Sequence, residues 1–155
     1  MEFTINRDIF LKSLSHAYGV IEKKNTLPIL SNVLIEAKNS KIKITATDLD
    51  LIYSEEIPIE KLISEGTTTT SASILYDILR KIESGAKVEL ALHSTNKLKL
   101  VSGKSKFNLL CISSDTFPLS DEDIKQKSFE VSSQELLKLL NKTKISISND
   151  ETRHY

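Results

Sequence analysis

Three histidines, one cysteine and a close pair of aspartates are the side chains of this 155-residue sequence best suited to chemistry. Asp48-x-Asp50, after a β-branched run, could hold a divalent cation and, with a histidine, serve a small metal-dependent enzyme. The same two carboxylates also suit the end of a strand, where aspartate closes turns on its own backbone. His16, His93 and His154 lie far apart with no companion at metal-ligand spacing, and His16 and His93 read as surface residues. Cys111 falls in the alternating run Phe107 to Ile112 and reads as a buried strand residue rather than a nucleophile. One cysteine makes no internal disulfide, which fits a reducing compartment. The sequence has no phosphate-binding glycine loop, dinucleotide fingerprint or nucleophile elbow, and Gly19, Gly66, Gly85 and Gly103 stand at element junctions. No catalytic residue, metal or cofactor is therefore expected.

Cations offer the stronger lead. Lys+Arg and Asp+Glu both number 21, so the zero net charge neither favours nor excludes a polyanionic partner. Their distribution is uneven. Arg80, Lys81, Lys87, Lys97, Lys99, Lys104 and Lys106 face only Glu83 and Glu89 in that stretch, and Asp115, Asp121, Glu122 and Asp123 then follow without a base. A neutral molecule can thus present one basic and one acidic face. Arg7 and Lys12, Arg80 and Lys81, and Lys138, Lys142 and Lys144 recur beside apolar helical stripes, and Lys23-Lys24 adds two charges in a loop. Each one alone is an ordinary solvated residue; repeated on equivalent helices, they describe a positive surface suited to a phosphate backbone.

Periodicity supplies the elements that must position these charges. Phe3-Thr4-Ile5 alternates as a strand, Asn6 can cap a helix, and Phe10, Leu11, Leu14 and Tyr18 recur at helical spacing. Thr67 to Thr70 is a β-branched run followed by Ser71 or Ser73 as cap and the stripe Leu75, Ile78, Leu79 and Ile82. Phe129-Glu130-Val131, Ser132 or Ser133, and Leu136, Leu137 and Leu140 repeat the pattern a third time, at intervals of about 60 to 65 residues. Three strands are expected after each of the first two helices: 32–37, 41–47 and 51–57, then 87–92, 97–101 and 106–112. The expected fold is α+β, (βαβββ)₂ over about the first 113 residues, with two helices side by side on antiparallel sheet and a pseudo-twofold relation between the halves. Residues 1–118 form the first domain, 119–127 an acidic linker and 128–155 the start of a second domain, whose helix needs more sheet than the chain supplies. A fragment of something longer is the expectation.

Hydrophobic residues at 39% and charged residues at 27% place the chain among globular proteins, and 4 Gly with 3 Pro exclude collagen-like or linker-like character. Glu2, Arg7, Asp8 and Lys12 interrupt any apolar leader, and no window approaches the roughly 18 apolar residues of a membrane span. A cytoplasmic protein with no membrane partner is expected. Three functions fit these residues: a DNA-facing module, a βαβββ protein-interaction module without a DNA role, or the small metal enzyme of Asp48 and Asp50.

Certain strings narrow the choice. Phe3-Thr4-Ile5, Thr26-Leu27-Pro28-Ile29-Leu30-Ser31-Asn32, Ala46-Thr47-Asp48-Leu49-Asp50, Ser102-Gly103-Lys104-Ser105-Lys106-Phe107, Asp115-x-Phe117-Pro118 and Arg153-His154-Tyr155 keep one order and spacing along the whole chain. In these strings the sequence resembles the bacterial DNA polymerase III beta subunits, the replicative sliding clamps. The resemblance implies a non-catalytic DNA-clamp fold: three such domains per chain, two chains closed head to tail into a homodimeric ring, sheets outside and helices around duplex DNA. It implies partners as well, namely double-stranded DNA bound without sequence preference, and the polymerase and clamp loader, whose pocket lies mainly in the third domain.

Carried over by position, the resemblance implies DNA contacts at Lys24, where the family typically has arginine, and at Arg153, His154 and Tyr155, where histidine replaces the first of two aromatics. Asp150 and Ser73 stand where some relatives have an amide and a base, and weaken those contacts. Arg80 joins the DNA-binding set from the helical basic face. Lys104 replaces a basic residue near the subunit interface and is assigned to both DNA and dimer contacts; Phe107 and Leu109 match apolar residues of the edge strand that meets the other subunit. Lys106 to Ile112 is expected to be that open edge.

Overall fold

The computed structural model describes residues 1–21, 27–94, 96–119 and 129–148. The chain divides into two compact units, Met1–Leu119 and Ser120–Tyr155. In the first unit, β1 (Glu2–Asn6) runs directly into α1 (Arg7–Val20), and a 3₁₀ turn at Pro28–Ser31 leads to β2 (Asn32–Lys38), β3 (Lys41–Thr47) and β4 (Ile52–Pro58). A short β5 (Lys61–Ser64) precedes the second half: β6 (Gly66–Ser71), α2 (Ala72–Lys81), β7 (Lys87–Ser94), β8 (Lys97–Ser102) and β9 (Ser105–Ile112). Each helix starts where a polar side chain satisfies free amides. Asn6 Oδ1 accepts from the Asp8 and Ile9 amides at 2.8 and 3.4 Å, and Ser71 Oγ from Ile74 at 3.5 Å.

One antiparallel sheet, in the order β4-β3-β2-β6-β9-β8-β7-β1-β5, carries both helices. Its order shows how the halves interlock. The first strand of each half sits beside the second strand of the other: β1 pairs with β7, and β6 with β2. A pseudo-twofold relation therefore matches β1 with β6, α1 with α2, and β2–β4 with β7–β9. Phe10, Leu14 and Ala17 of α1 and Ala72, Leu75 and Leu79 of α2 are buried against the inner sheet residues Phe3, Ile5, Val33, Ile35, Ile42, Ile44, Val88, Leu90, Leu98, Leu100 and Leu109. The frame of α1 differs slightly from the sequence expectation. Ser13 and Ala17 are buried there, whereas Leu11 and Tyr18 only flank the core, because the partner helix occupies that side.

The joint between the halves is thin in backbone pairing. β6 meets β9 only at Thr69–Ile112 and Thr70–Cys111. Buried threonine hydroxyls supplement it: Thr69 Oγ1 donates to the Ile112 carbonyl at 2.7 Å and Thr70 Oγ1 to the Leu110 carbonyl at 3.0 Å. Thr69 Oγ1 also accepts from the amide of buried Asn32 at 3.1 Å. Gly66 opens β6 with φ +154°, and a Cβ there would meet Met1 atoms at 3.0–3.2 Å, so any side chain must displace the N-terminal residue.

Three expectations need correction. β5 was not foreseen; it pairs with the outer side of β1, so β1 is not an edge. Lys106 to Ile112 is not an open edge throughout, because β8 flanks β9 along its length and β6 pairs with it from Cys111 onward. Ser105 to Leu110, most of the strand, have no backbone pairing on the β6 side, so the expected edge is open except at its end. Phe129-Glu130-Val131 forms no strand, and Phe129 is 88% exposed. Alternation alone does not hold an extended segment without a sheet to receive its amides and carbonyls. The helix that follows does form, as α3 (Ser133–Thr143), with Leu136, Leu137 and Leu140 exposed. Residues 120–127 of the expected linker lie outside the described residues. Among the described residues, no helix is long and apolar enough to cross a membrane.

The threonine joint yields a test. Thr69→Val keeps the shape but strands the Asn32 amide and the Ile112 carbonyl, and should lower the unfolding free energy by about 2 kcal/mol in urea titration. Surface Thr67→Val on the same strand should change it by less than about 0.5 kcal/mol.

Candidate nucleic-acid interface

The helices lie antiparallel, the start of α1 against the end of α2. Arg7 fastens them. Its Nε donates to the Leu79 carbonyl at 2.7 Å and its guanidinium NH2 group to the Arg80 carbonyl at 3.1 Å, and only 13% of the side chain is exposed. These are carbonyls of the last turn of α2, which lack partners inside their own helix, and the cation also sits at the negative end of the helix dipole. Arg7 is thus a seam residue and does not belong to the outward basic face. Asp8 completes the seam. Its carboxylate accepts from Arg7 at 2.7 Å, from Ser84 Oγ at 2.9 Å and from the Gly85 amide at 2.8 Å. The Arg7 guanidinium, then the Gly85 amide and the Ser84 hydroxyl, hold the carboxyl below its ordinary range.

Further along the seam, Tyr18 of α1 and Tyr76 of α2 stack with ring centroids 5.0 Å apart and planes 8° from parallel. The Arg80 guanidinium lies 5.6 Å from the Tyr76 ring centroid. Its side chain is 61% exposed, and the Asp77 carboxylate stands 3.9 Å away as a loose, solvated neighbour. Lys12 on α1, and Ser73, Asp77, Arg80 and Lys81 on α2, are exposed on the layer that the two helices form over the sheet. Sequence reasoning found Arg80, Lys12 and Lys81, placed Tyr18 only in the apolar stripe of the first helix, and missed Tyr76. The Tyr76-to-Arg80 spacing of one helical turn was a readable signal for a cation over a ring; the Tyr18 partner is a tertiary fact with no local signature.

Lys104 takes a different place from Arg80. It stands exposed in the β8–β9 turn, where Gly103 adopts φ 55°, and borders a groove of about 430 Å³ with Ile78, Lys81, Ile82 and Phe107. Phe107 is half-buried beside that groove, next to the unpaired beginning of β9. Leu109 is only 4% exposed, and its side chain belongs to the core. Lys24, Asp150, Arg153, His154 and Tyr155 lie outside the described residues.

The alternative chemistry fares differently. Asp48 Oδ1 accepts from the Asp50 and Leu51 amides at 3.0 and 2.7 Å, and Thr47 Oγ1 from Leu49, which has φ 84°. The aspartates close the β3–β4 turn. His16 Nδ1 lies 3.4 Å from Tyr53 Oη and 3.9 Å from a Glu55 oxygen, while Tyr53 donates a short hydrogen bond to Glu55. Among the described residues, no group of three or more histidine, cysteine, aspartate or glutamate side chains is placed to hold a metal ion. Cys111 is buried on the inner face of β9, and burial pushes its thiol up, away from the thiolate a nucleophile needs.

The seam carboxylate gives a pH prediction. The folded state holds the Asp8 carboxyl below its unfolded value of about 3.9. Its contribution is therefore complete above that value and is lost as pH falls through the lower folded one. Asp8→Asn should reduce the urea midpoint at neutral pH and flatten its decline below about pH 4; an unchanged acid profile would contradict the seam.

Comparison with known proteins places this architecture. Residues 1–121 match the family described as DNA polymerase III beta subunit, N-terminal domain. The beta sliding clamp of Caulobacter vibrioides is 37% identical over 156 aligned residues, covering 100% of this chain and 42% of the relative. The beta sliding clamp of Pseudomonas aeruginosa is 29% identical over a similar span. Among solved structures, the Caulobacter crescentus beta sliding clamp superposes with a TM-score of 0.94 at 37% identity, covering 100% of this chain and 41% of that one. The DNA polymerase III subunit beta of P. aeruginosa gives 0.92 at 29% identity, covering 100% and 42%. The chain thus spans about two fifths of the length of the relatives it matches. It belongs to the DNA polymerase III beta subunit family, and its two-helix unit is that family's N-terminal domain.

Proposed function

We propose that this chain supplies the first domain, and the opening of the second, of a ring-shaped processivity factor that encircles duplex DNA and tethers the replicative polymerase. The observation that carries the reading is the placement of both helices of the pseudo-twofold unit on one face of the sheet, with Lys12, Arg80 and Lys81 exposed there. A sliding surface needs cations that meet phosphates and avoid base edges, so that no register along the duplex is preferred. Retention then comes from topology, and modest contact energy suffices. Lys24 and the Arg153-His154-Tyr155 segment complete the DNA-facing set in this proposal.

Head-to-tail closure would use the unpaired beginning of β9, with Lys104 and Phe107 beside the Ile78–Ile82 groove and the Leu109 backbone continuing the strand. The polymerase and clamp loader would bind mainly at a third domain, so this chain alone should neither close a ring nor hold their peptides. The protein acts on DNA in the bacterial cytoplasm and carries out no reaction of its own.

The direct test uses a polypeptide of the relatives' full length that begins with these residues, loaded on nicked circular DNA and on the same DNA linearised. Retention on the circle with rapid loss from free ends is expected; equal loss from both rejects the ring. In sedimentation, the 155-residue chain by itself should show no closed dimer.

A further inference from the structure

The helix seam does more than join two helices: it fixes the cation at its end. We propose that Tyr76, backed by Tyr18, is a positioning residue that presents the Arg80 guanidinium to the DNA backbone. This inference rests on the duplex-facing reading of the helices. Arg80 is held at both of its ends. Its backbone carbonyl is tied to α1 by the Arg7 guanidinium at 3.1 Å, with the Leu79 carbonyl tied at 2.7 Å beside it. Its head lies over the Tyr76 ring at 5.6 Å, and that ring is itself kept in plane by Tyr18 at 5.0 Å and 8°.

An exposed arginine ordinarily samples many rotamers and must surrender that freedom to hold a phosphate. A ring beneath the guanidinium, 5.6 Å from its centre, restrains the head beforehand and leaves its donors free, and the compact ammonium of lysine lacks the fork that would use them. The ring also competes with Asp77, whose carboxylate at 3.9 Å would otherwise be the only group near the cation among the described contacts. Among the described residues, neither Lys12 nor Lys81 lies over a ring, which makes Arg80 the preorganised cation of this face.

The test is an NMR titration of the 155-residue chain with a short duplex of random sequence at low salt, repeated as salt is raised. Arg80→Ala should weaken binding and reduce the salt dependence by about one phosphate contact. Tyr76→Leu should weaken binding by about two- to fivefold while leaving the salt dependence unchanged, since no charge is lost. Tyr76→Phe, which keeps the ring, should bind as the unaltered chain does. Arg80→Lys tests the same contact without disturbing the seam, and should match Tyr76→Leu in affinity.

In the Arg80→Ala background, Tyr76→Leu should cost nothing further. An equal loss in both backgrounds would mean that Tyr76 acts only through the fold, and would overturn the inference while leaving the duplex reading in place. Unaltered binding by Arg80→Ala would do the same. No detectable binding by the unaltered chain at low salt would overturn this inference, whereas the duplex reading stands or falls on retention on circular against linear DNA.

Discussion

The constraint that governs this structure is that two short amphipathic helices, each with one apolar stripe, must bury those stripes on a single shared sheet. Neither half can do so alone. With the four strands and one helix of a single βαβββ unit they would leave much of Phe10, Leu14, Leu75 and Leu79 in water, and each such side chain contributes about 1.5–3 kcal/mol on full burial. Exchange of the first strands solves this by placing β1 in the second half of the sheet and β6 in the first. The helices then have to lie on the same face, and their polar sides have to point the same way. The common direction of Lys12, Arg80 and Lys81 is a consequence of core packing before it is a matter of charge.

The seam between the helices shows how one residue type can mislead when it is read only by charge. Arg7 looked like one more member of a basic face, but its guanidinium satisfies carbonyls at the end of the neighbouring helix and is mostly buried. Asp8 then neutralises it and reaches across to the loop after α2. Packing two antiparallel helices brings the positive start of one near the negative end of the other, so an arginine at the first helical position is well placed to bridge them. What remains for an outside partner is a smaller set of cations, one of them organised by stacked aromatics.

Much of this architecture was legible in the residues. The 3.6-residue stripes, the Asn6 cap and the alternating Lys-Ile-Lys-Ile and Lys-Leu-Lys-Leu strands are local signals found where expected, apart from the shifted frame of α1, and of the two serines offered as the second cap Ser71 takes the role. β5 escaped because Lys-Leu-Ile-Ser is short and its pairing with β1 is a long-range event. The false strand at Phe129 failed for the converse reason, since its local pattern was good and the partner was missing. At the candidate interface, exposure of Lys12, Arg80 and Lys81 followed from helical phase, whereas Leu109 did not behave as an interface side chain because strand alternation turns it inward. Which side of a strand faces a helix is set by the sheet's register, and one alternating run does not reveal it.

Site-specific cross-linking measures most directly whether the helical layer is the side that meets DNA. Ser73→Cys would place a photoactivatable cross-linker on α2, and Asn108→Cys would place one on the opposite, outward face of β9; native Cys111 is buried. In a polypeptide of the relatives' full length loaded on circular duplex, the account predicts adducts from position 73 and none from position 108. Adducts from 108 with none from 73 would turn the molecule inside out, and the helices could not then line a passage for DNA.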